Sequence, residues 1–474
     1  MKFGTSGLRG LSEDLKGPAS TRFSHAFGRY LLQSGLAAEG DPILIGQDFR
    51  DSSPQIALNC TNALAGLGFR VLDCGAVPTP ALALYALQLG AASLMVTGSH
   101  IPADRNGIKF YRPDGEINKQ DEEAIAALVA AEGLPQPLPS LAVSDNRSAE
   151  CLELFLERNR SLLPRDALKG LRLGVYQQST VARDVLVDVL GFYGAEVVPL
   201  GRSDSFIPVD TEAVSPLTVR LLQTWAQEHQ LDALVSADGD GDRPLVADEK
   251  GMPVRGDLLG LVTARFLGAQ VLVTPVTSNS GIEAAGSFKV VRTKVGSPYV
   301  IAAMQEAVAA GQAGMVGFEA NGGFLTASDF SVGRETIRPL PTRDCLLPIL
   351  AILALRVERQ APMSEIAASF NLPVAAADRL ENFPTEGSTA LMAHLRASDS
   401  NLSDFLRSVG EVQDKTDIDG LRVALNGDRI IHFRPSGNAP EMRCYVEATS
   451  KQEAEELLGC GLELIQQWVG TQRG

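Results

Sequence analysis

The chain has 474 residues, 45% of them hydrophobic and 21% charged, with a formal net charge of −15. Its length exceeds one ordinary core and fits three or four domains, its composition excludes a disordered or fibrous chain, and its acidity argues against nucleic acid as a partner. The longest apolar run, Cys345 to Leu355, is too short for the roughly 20 residues a membrane span needs, so no membrane partner is expected.

In chain order, Met1 leads straight into KFGTSGLRG, so no secretory signal is expected. The six cysteines (Cys60, Cys74, Cys151, Cys345, Cys444, Cys460) form no CxxC pair and read as reduced residues, which predicts a cytoplasmic location. Three segments then repeat one plan of apolar strand, polar turn, amphipathic helix, second strand and functional loop. The first runs from ILIGQDFRDSS through GFRVLDCG to TGSHIPADRNG, the second from LRLGVYQQST through GAEVVPLG to DGDGDR, and the third from VLVTPVTSNS through SFKVVRTKVG to GFEANGG. Strands alternating with helices predict parallel βαβ units, with ligands at the carboxyl ends of the strands. An apolar helix is expected near Arg343 to Arg356. Beyond it, Asn426 and Gly427 predict a two-residue hairpin, and Ser450 with Glu453 a capping box opening a helix.

The expected fold is therefore α/β: three similar mixed α/β domains with parallel βαβ units, plus a C-terminal α+β domain, around a central cleft. PQPLPS and the Gly251 to Gly256 turn mark two of the boundaries. The divisions fall at 1–146, 147–255, 256–365 and 366–474.

Within the second repeat, Asp238, Asp240 and Asp242 alternate with glycines and precede Arg243. At an effective dielectric of about 20, two such charges ~4 Å apart repel by roughly 4 kcal/mol, a cost that a divalent cation removes. Hard oxygen ligands favour Mg²⁺. A calcium loop is the competitor, with Glu249 at its twelfth position, but Arg243 sits where such a loop needs glycine and a strand precedes the acids. In the first repeat TGSH offers Ser99 as a nucleophile. Adjacent Ser and His side chains usually point apart, so Ser99 and His100 are not expected to form a catalytic pair. Glu319 and Asn321 in the third repeat can bind vicinal hydroxyls. Arg434, Ser436, Gly437 and Asn438, with Arg443 beyond, form a turn of donors suited to a phosphate dianion. His432 alternates with Ile431 and Phe433 on the strand leading to that turn.

TGSHxP, DGDGDR, FEANGG and RPSGN in this order resemble the α-D-phosphohexomutase superfamily, whose members include phosphomannomutase, phosphoglucomutase and phosphoglucosamine mutases. FGTSGLRG, GQDFRDSS with Asp48 and Arg50, TKVG and DGLR extend the resemblance over the whole chain. It implies that Ser99 carries a phosphoryl group and joins Asp238, Asp240 and Asp242 around Mg²⁺, with Arg243 flanking. It makes Glu319 and Asn321 the sugar-reading pair, and Arg434, Ser436, Gly437 and Asn438 the phosphate clamp. Arg9, Lys109 and Lys294 match the basic residues of the site, with Lys109 the candidate acid/base and His100 a candidate phosphoryl contact. The chain departs from the pattern at Ile101, at Asn438, and at Ser297 and Gly323, where many members have histidine.

The implied reaction moves a phosphoryl group between the 1- and 6-positions of a hexose phosphate through a hexose 1,6-bisphosphate, with mannose phosphate first among the sugars and glucose, glucosamine or N-acetylglucosamine phosphate as alternatives. A monomer or homodimer is expected. A metal-dependent sugar phosphatase and a non-catalytic sugar-phosphate-binding protein are the rival classes. The phosphatase has no use for a second phosphate site, and the retained Ser99 and aspartates speak against the binding protein.

Overall fold

The computed structural model describes residues 2–4, 7–131, 133–135, 142–333, 335–436 and 440–472. Thr5, Ser6, most of PQPLPS, Gly437 and Asn438 lie outside them. The chain forms two compact units, residues 1–273 with 296–369 and residues 274–295 with 370–474.

The first unit holds the first two repeats and, from the third, the strand residues 271–273 and everything from residue 296 on. In the first, Pro42–Gln47 pairs in parallel with Arg70–Ala76 on one side and Ala92–Val96 on the other. The helices Ser53–Ala65 and Thr79–Leu89 make the crossovers, each with a proline in its first turn, where the missing N–H costs nothing. The second repeat copies this with Arg172–Gln178 between Glu196–Arg202 and Ala233–Ala237. The third pairs Val271 to Val273 with Met315 to Gly317. Ala92–Val96 and Ala233–Ala237 are buried along their whole length and read as continuous apolar runs, as two-sided burial demands.

Each repeat then turns back into an antiparallel neighbour: Val96 pairs with Ile108, Ala237 with Pro244 and Phe318 with Phe324. The residues spanned by these reversals are the TGSH, DGDGDR and EANGG loops. All three therefore sit at the same topological point, the carboxyl end of a parallel strand, where ligands of open α/β sheets gather.

The second unit carries an antiparallel five-stranded sheet in the order Val374–Leu380, Met442–Ala448, Arg429–Pro435, Leu421–Leu425, Val412–Thr416. Helix Lys451–Gln472 opens as expected: the Glu453 amide donates to Ser450 Oγ, while the Glu453 carboxylate accepts from the Thr449 hydroxyl. Its Leu457 and Ile465 join Ile431, Phe433 and Cys444 in the core.

Three local expectations change. Leu425 pairs with Arg429, so the hairpin has three turn residues; Gly427 and Asp428 both take positive φ, and Asp428 supplies the extra residue. The helix expected to open the third repeat is only a 3₁₀ turn, Ser280–Ile282, because Gly281 and Gly286 interrupt a short segment. The apolar helix begins at Leu346, since Arg343 belongs to the strand Leu340–Asp344. No helix of the described residues is long and apolar enough to cross a membrane.

Candidate active site

Ser99 is 1% exposed, so it is not the surface hydroxyl its loop position implies. Two devices bury it. Its φ of +54° bends the loop inward, and its amide donates to Thr97 Oγ1 at 2.8 Å. Arg50, itself 1% exposed, lies behind the loop and donates to the carbonyls of Ser99, Ile101, Pro102 and Arg105 at 2.7 to 3.0 Å. Asp48 anchors that guanidinium and accepts from Thr97 Oγ1 and Ser53 Oγ. The Phe206 ring covers the guanidinium at 3.8 Å. The GQDFRDSS turn thus serves as the scaffold of the serine loop.

Ser99 Oγ donates to Asp238 Oδ2 at 2.5 Å. A Cβ at Gly239 would lie 2.7 Å from the Ser99 carbonyl, so only glycine allows the two loops to approach this closely. Asp238, Asp240 and Asp242 are fully buried, and one oxygen from each lies within 4.8 Å of the others. Asp238 Oδ1 accepts the Asp242 and Arg243 amides at 3.1 Å, which curls the loop around one point. Thr79 Oγ1 and Lys109 Nζ satisfy Asp240 Oδ2 at 2.6 and 2.5 Å, but Oδ1 of both Asp240 and Asp242 has no hydrogen-bond partner. Orphaned buried carboxylate oxygens are costly. The closeness of the three carboxylates, one of which binds Ser99 Oγ, fits a hard divalent cation, with Ser99 and the three aspartates as the residues to hold it. Glu249, the calcium loop's twelfth position, instead accepts from the Ser364 hydroxyl and amide.

Burial, followed by repulsion from Asp240 and Asp242, raises the Asp238 carboxyl well above the carboxylate range. Burial acts the same way on Asp242, but Arg343, Lys109 and Arg243 outweigh it and hold that group ionised. Lys109 Nζ lies between two of the three aspartates. Burial disfavours its charge, but contacts at 2.5 Å to Asp240 and 2.6 Å to Asp242 outweigh this and raise it above an ordinary lysine, which favours the cation.

His100 also departs from expectation. Its Nδ1 lies 3.2 Å from Ser99 Oγ and 2.9 Å from Arg243 Nη1, so the adjacent pair does meet, through the positive φ of Ser99. The field of Arg243, then burial, keeps the ring neutral. Arg9 feels the same cluster: burial, then Arg243 and Arg343, lower it to about 10.

Glu319 is buried and accepts from Arg343 Nη1 at 3.1 Å, while Asn321 Oδ1 accepts the Gly323 amide. Arg343 also donates to Asp242 Oδ2 from Nε at 2.9 Å and Nη2 at 2.8 Å. Neither Arg343 nor Thr79 stands out in the sequence. LPTRD has no periodicity or spacing to mark it, and Thr79 reads as the start of a helix.

In the second unit, Arg434 Nε pairs with Asp419 Oδ2 at 2.9 Å, and the Ser436 amide donates to the Glu441 carbonyl. Arg443 stands opposite Arg434 in the strand register and bonds Glu441 at 3.2 Å. Asp419 also accepts the Val295 amide, next to Lys294. Arg434, Ser436, Arg443 and Lys294 all belong to this unit.

Family models match nearly the whole chain: phosphoglucomutase/phosphomannomutase alpha/beta/alpha domain I at residues 1–136, domain II at 153–251, domain III at 255–372 and the C-terminal domain at 355–459. A phosphomannomutase of Sinorhizobium fredii is 56% identical over 98% of both chains, and one of Salmonella muenchen is 41% identical over 99% of this chain and 96% of that one. The phosphoglucomutase parafusin of Paramecium shares the fold at a TM-score of 0.75 and 17% identity, over 98% of this chain and 95% of its own.

Proposed function

The chain belongs to the phosphoglucomutase/phosphomannomutase family, and from that premise we propose that it is a phosphomannomutase, interconverting mannose 6-phosphate and mannose 1-phosphate. The observation that carries the reading is Ser99 Oγ held 2.5 Å from Asp238, whose carboxylate clusters with those of Asp240 and Asp242, each with one buried oxygen without a hydrogen-bond partner. A serine so placed serves as the carrier of a phosphoryl group. Mg²⁺ bound by Ser99, Asp238, Asp240 and Asp242 would neutralise the charge that builds on the transferring group.

The chain's own residues divide the remaining work. Phospho-Ser99 gives its phosphoryl group to the free hydroxyl of the hexose phosphate; the Ser99 Oγ–P bond breaks as the sugar O–P bond forms. The proton lost by that hydroxyl is balanced by one gained at the departing Ser99 Oγ, and the resulting hexose 1,6-bisphosphate turns over and returns its other phosphate to Ser99 by the reverse exchange. Arg243 and Arg9 place positive charge beside the serine. Neutral His100 accepts a hydrogen bond near the reacting oxygen, and Lys109 stays protonated between Asp240 and Asp242. Glu319 and Asn321 read the sugar hydroxyls. Arg434, Ser436, Gly437 and Asn438, with Arg443 and Lys294, hold the phosphate that is not reacting. Five buried free cysteines support a reducing, cytoplasmic setting.

A coupled assay over mannose, glucose, glucosamine and N-acetylglucosamine phosphates tests this, and mannose phosphate is expected to give the highest kcat/KM. Release of free sugar and inorganic phosphate without the isomer would overturn the mutase reading in favour of a phosphatase.

A further inference from the structure

Arg343 is 4% exposed and lies one residue before the end of the strand Leu340–Asp344. Its guanidinium faces two loops at once. The Nε and Nη2 edge binds Asp242 Oδ2 at 2.9 and 2.8 Å, and Nη1 donates to both Glu319 Oε2 and Ser297 Oγ at 3.1 Å. A single cation therefore ties a carboxylate of the acidic loop to the carboxylate of the sugar loop. The planar fork of arginine suits this bridge, whereas a lysine ammonium is one point of charge.

The stem of the same side chain sets a second constraint. A Cβ built on Gly323 would lie 2.6 Å from Arg343 Cδ and 2.9 Å from Cγ, so Arg343 fills the space that any side chain at 323 would need. Ser297 and Gly323 are the two positions where this sequence lacks the histidines of the resembling pattern. Both lie against Arg343, so these two departures, distant in sequence, form one local arrangement with it.

We propose that Arg343 is a positioning residue for sugar recognition: it fixes the Glu319 carboxylate toward the hexose hydroxyls and registers it to the acidic loop. This deepens the phosphohexomutase reading and rests on it. Glu319 presents one oxygen to Arg343 and keeps the other for substrate. With the guanidinium gone, Glu319 must reorganise before it binds sugar, and the cost falls on hexose-phosphate affinity.

The test compares wild type, Arg343→Lys, Gly323→Ala and the double variant. It measures kcat and KM for mannose 6-phosphate at saturating Mg²⁺, and calorimetric Kd for mannose 6-phosphate on chelator-treated protein. Arg343→Lys is expected to raise both KM and Kd about 10- to 100-fold, the range for a lost hydrogen bond to a charged group. Gly323→Ala removes no charge but pushes the arginine stem aside, and is expected to raise KM and Kd several-fold alone and by less in the Arg343→Lys background. If Arg343→Lys does not fold, Gly323→Ala alone decides by the same two constants. Unchanged KM and Kd in folded Arg343→Lys, a fall in kcat alone, or a Gly323→Ala variant with wild-type constants would each overturn the assignment. A wild-type protein that isomerises no hexose phosphate would instead sink the parent reading.

Discussion

Arg50→Ala removes the support on which the serine loop rests. The guanidinium makes four hydrogen bonds to the carbonyls of Ser99, Ile101, Pro102 and Arg105, and pairs with Asp48 at 3.2 Å. Arg50 and Asp48 are each 1% exposed, so water does not readily replace the lost donor. Asp48 keeps the Ser53 and Thr97 hydroxyls and is therefore only partly stranded. Breaking a buried pair of this kind costs about 3–5 kcal/mol. At 2–4 °C per kcal/mol for a folding unit of ordinary domain size, that lowers the first melting transition by roughly 6–20 °C. Because the loop that loses its carbonyl contacts is the one that sets Ser99 at φ +54°, kcat should fall along with the melting temperature. Scanning calorimetry and steady-state kinetics on Arg50→Ala and Arg50→Lys check this, with the lysine variant, which keeps the charge but not the fork, falling between. A melting shift under about 2 °C with kcat within twofold would show that the Asp48–Arg50 scaffold does not hold the serine loop.

Chelation with EDTA is expected to abolish turnover and Mg²⁺ to restore it, with Asp240→Asn reproducing the loss; full restoration by Ca²⁺ alone would contradict the choice of ion. Arg434→Ala should raise KM for the sugar phosphate, costing about 10- to 100-fold in kcat/KM, and release more bisphosphate into solution; wild-type KM without leakage would remove the Arg434 turn from the mechanism. His432 gives a pH prediction. Burial, opposed only in part by the Asp419 carbonyl that accepts from Nε2, lowers it to about 4, and its buried Nδ1 has no partner. Its folded-state pKa lies below the unfolded one, so its contribution is complete above about pH 6.5 and is lost as pH falls toward 4, reaching about 3 kcal/mol. Stability measured across that window should decline less in His432→Gln than in wild type, and parallel curves would refute the assignment.

Much of the site is legible in the sequence because its residues are chemically improbable without a ligand. Three aspartates separated by glycines cannot be a neutral structural turn, and the repeated strand-and-loop plan places that turn, the serine loop and EANGG at equivalent strand ends. The unread parts depend on contacts that no spacing encodes. Arg343 meets Asp242 and Glu319 only because the third repeat's edge strand returns beside its own loop. Ser99 and His100 converge because one residue adopts a left-handed backbone, which serine carries without a sequence mark. Nothing in the spacing around Lys109 marks the two carboxylates that lie within 2.6 Å of its ammonium. The shortened helix of the third repeat shows the reverse case, where two glycines outweigh the repeat pattern.

Ser99 as the phosphoryl carrier is the central claim, and intact-protein mass with peptide mapping after exposure to hexose 1,6-bisphosphate and Mg²⁺ tests it most directly. The account predicts one added phosphoryl group on the Ser99 peptide, discharged into sugar product when mannose monophosphate is added and absent from Ser99→Ala, which turns over no substrate. A phosphate on another residue, or a Ser99→Ala protein that isomerises at the wild-type rate, would contradict it.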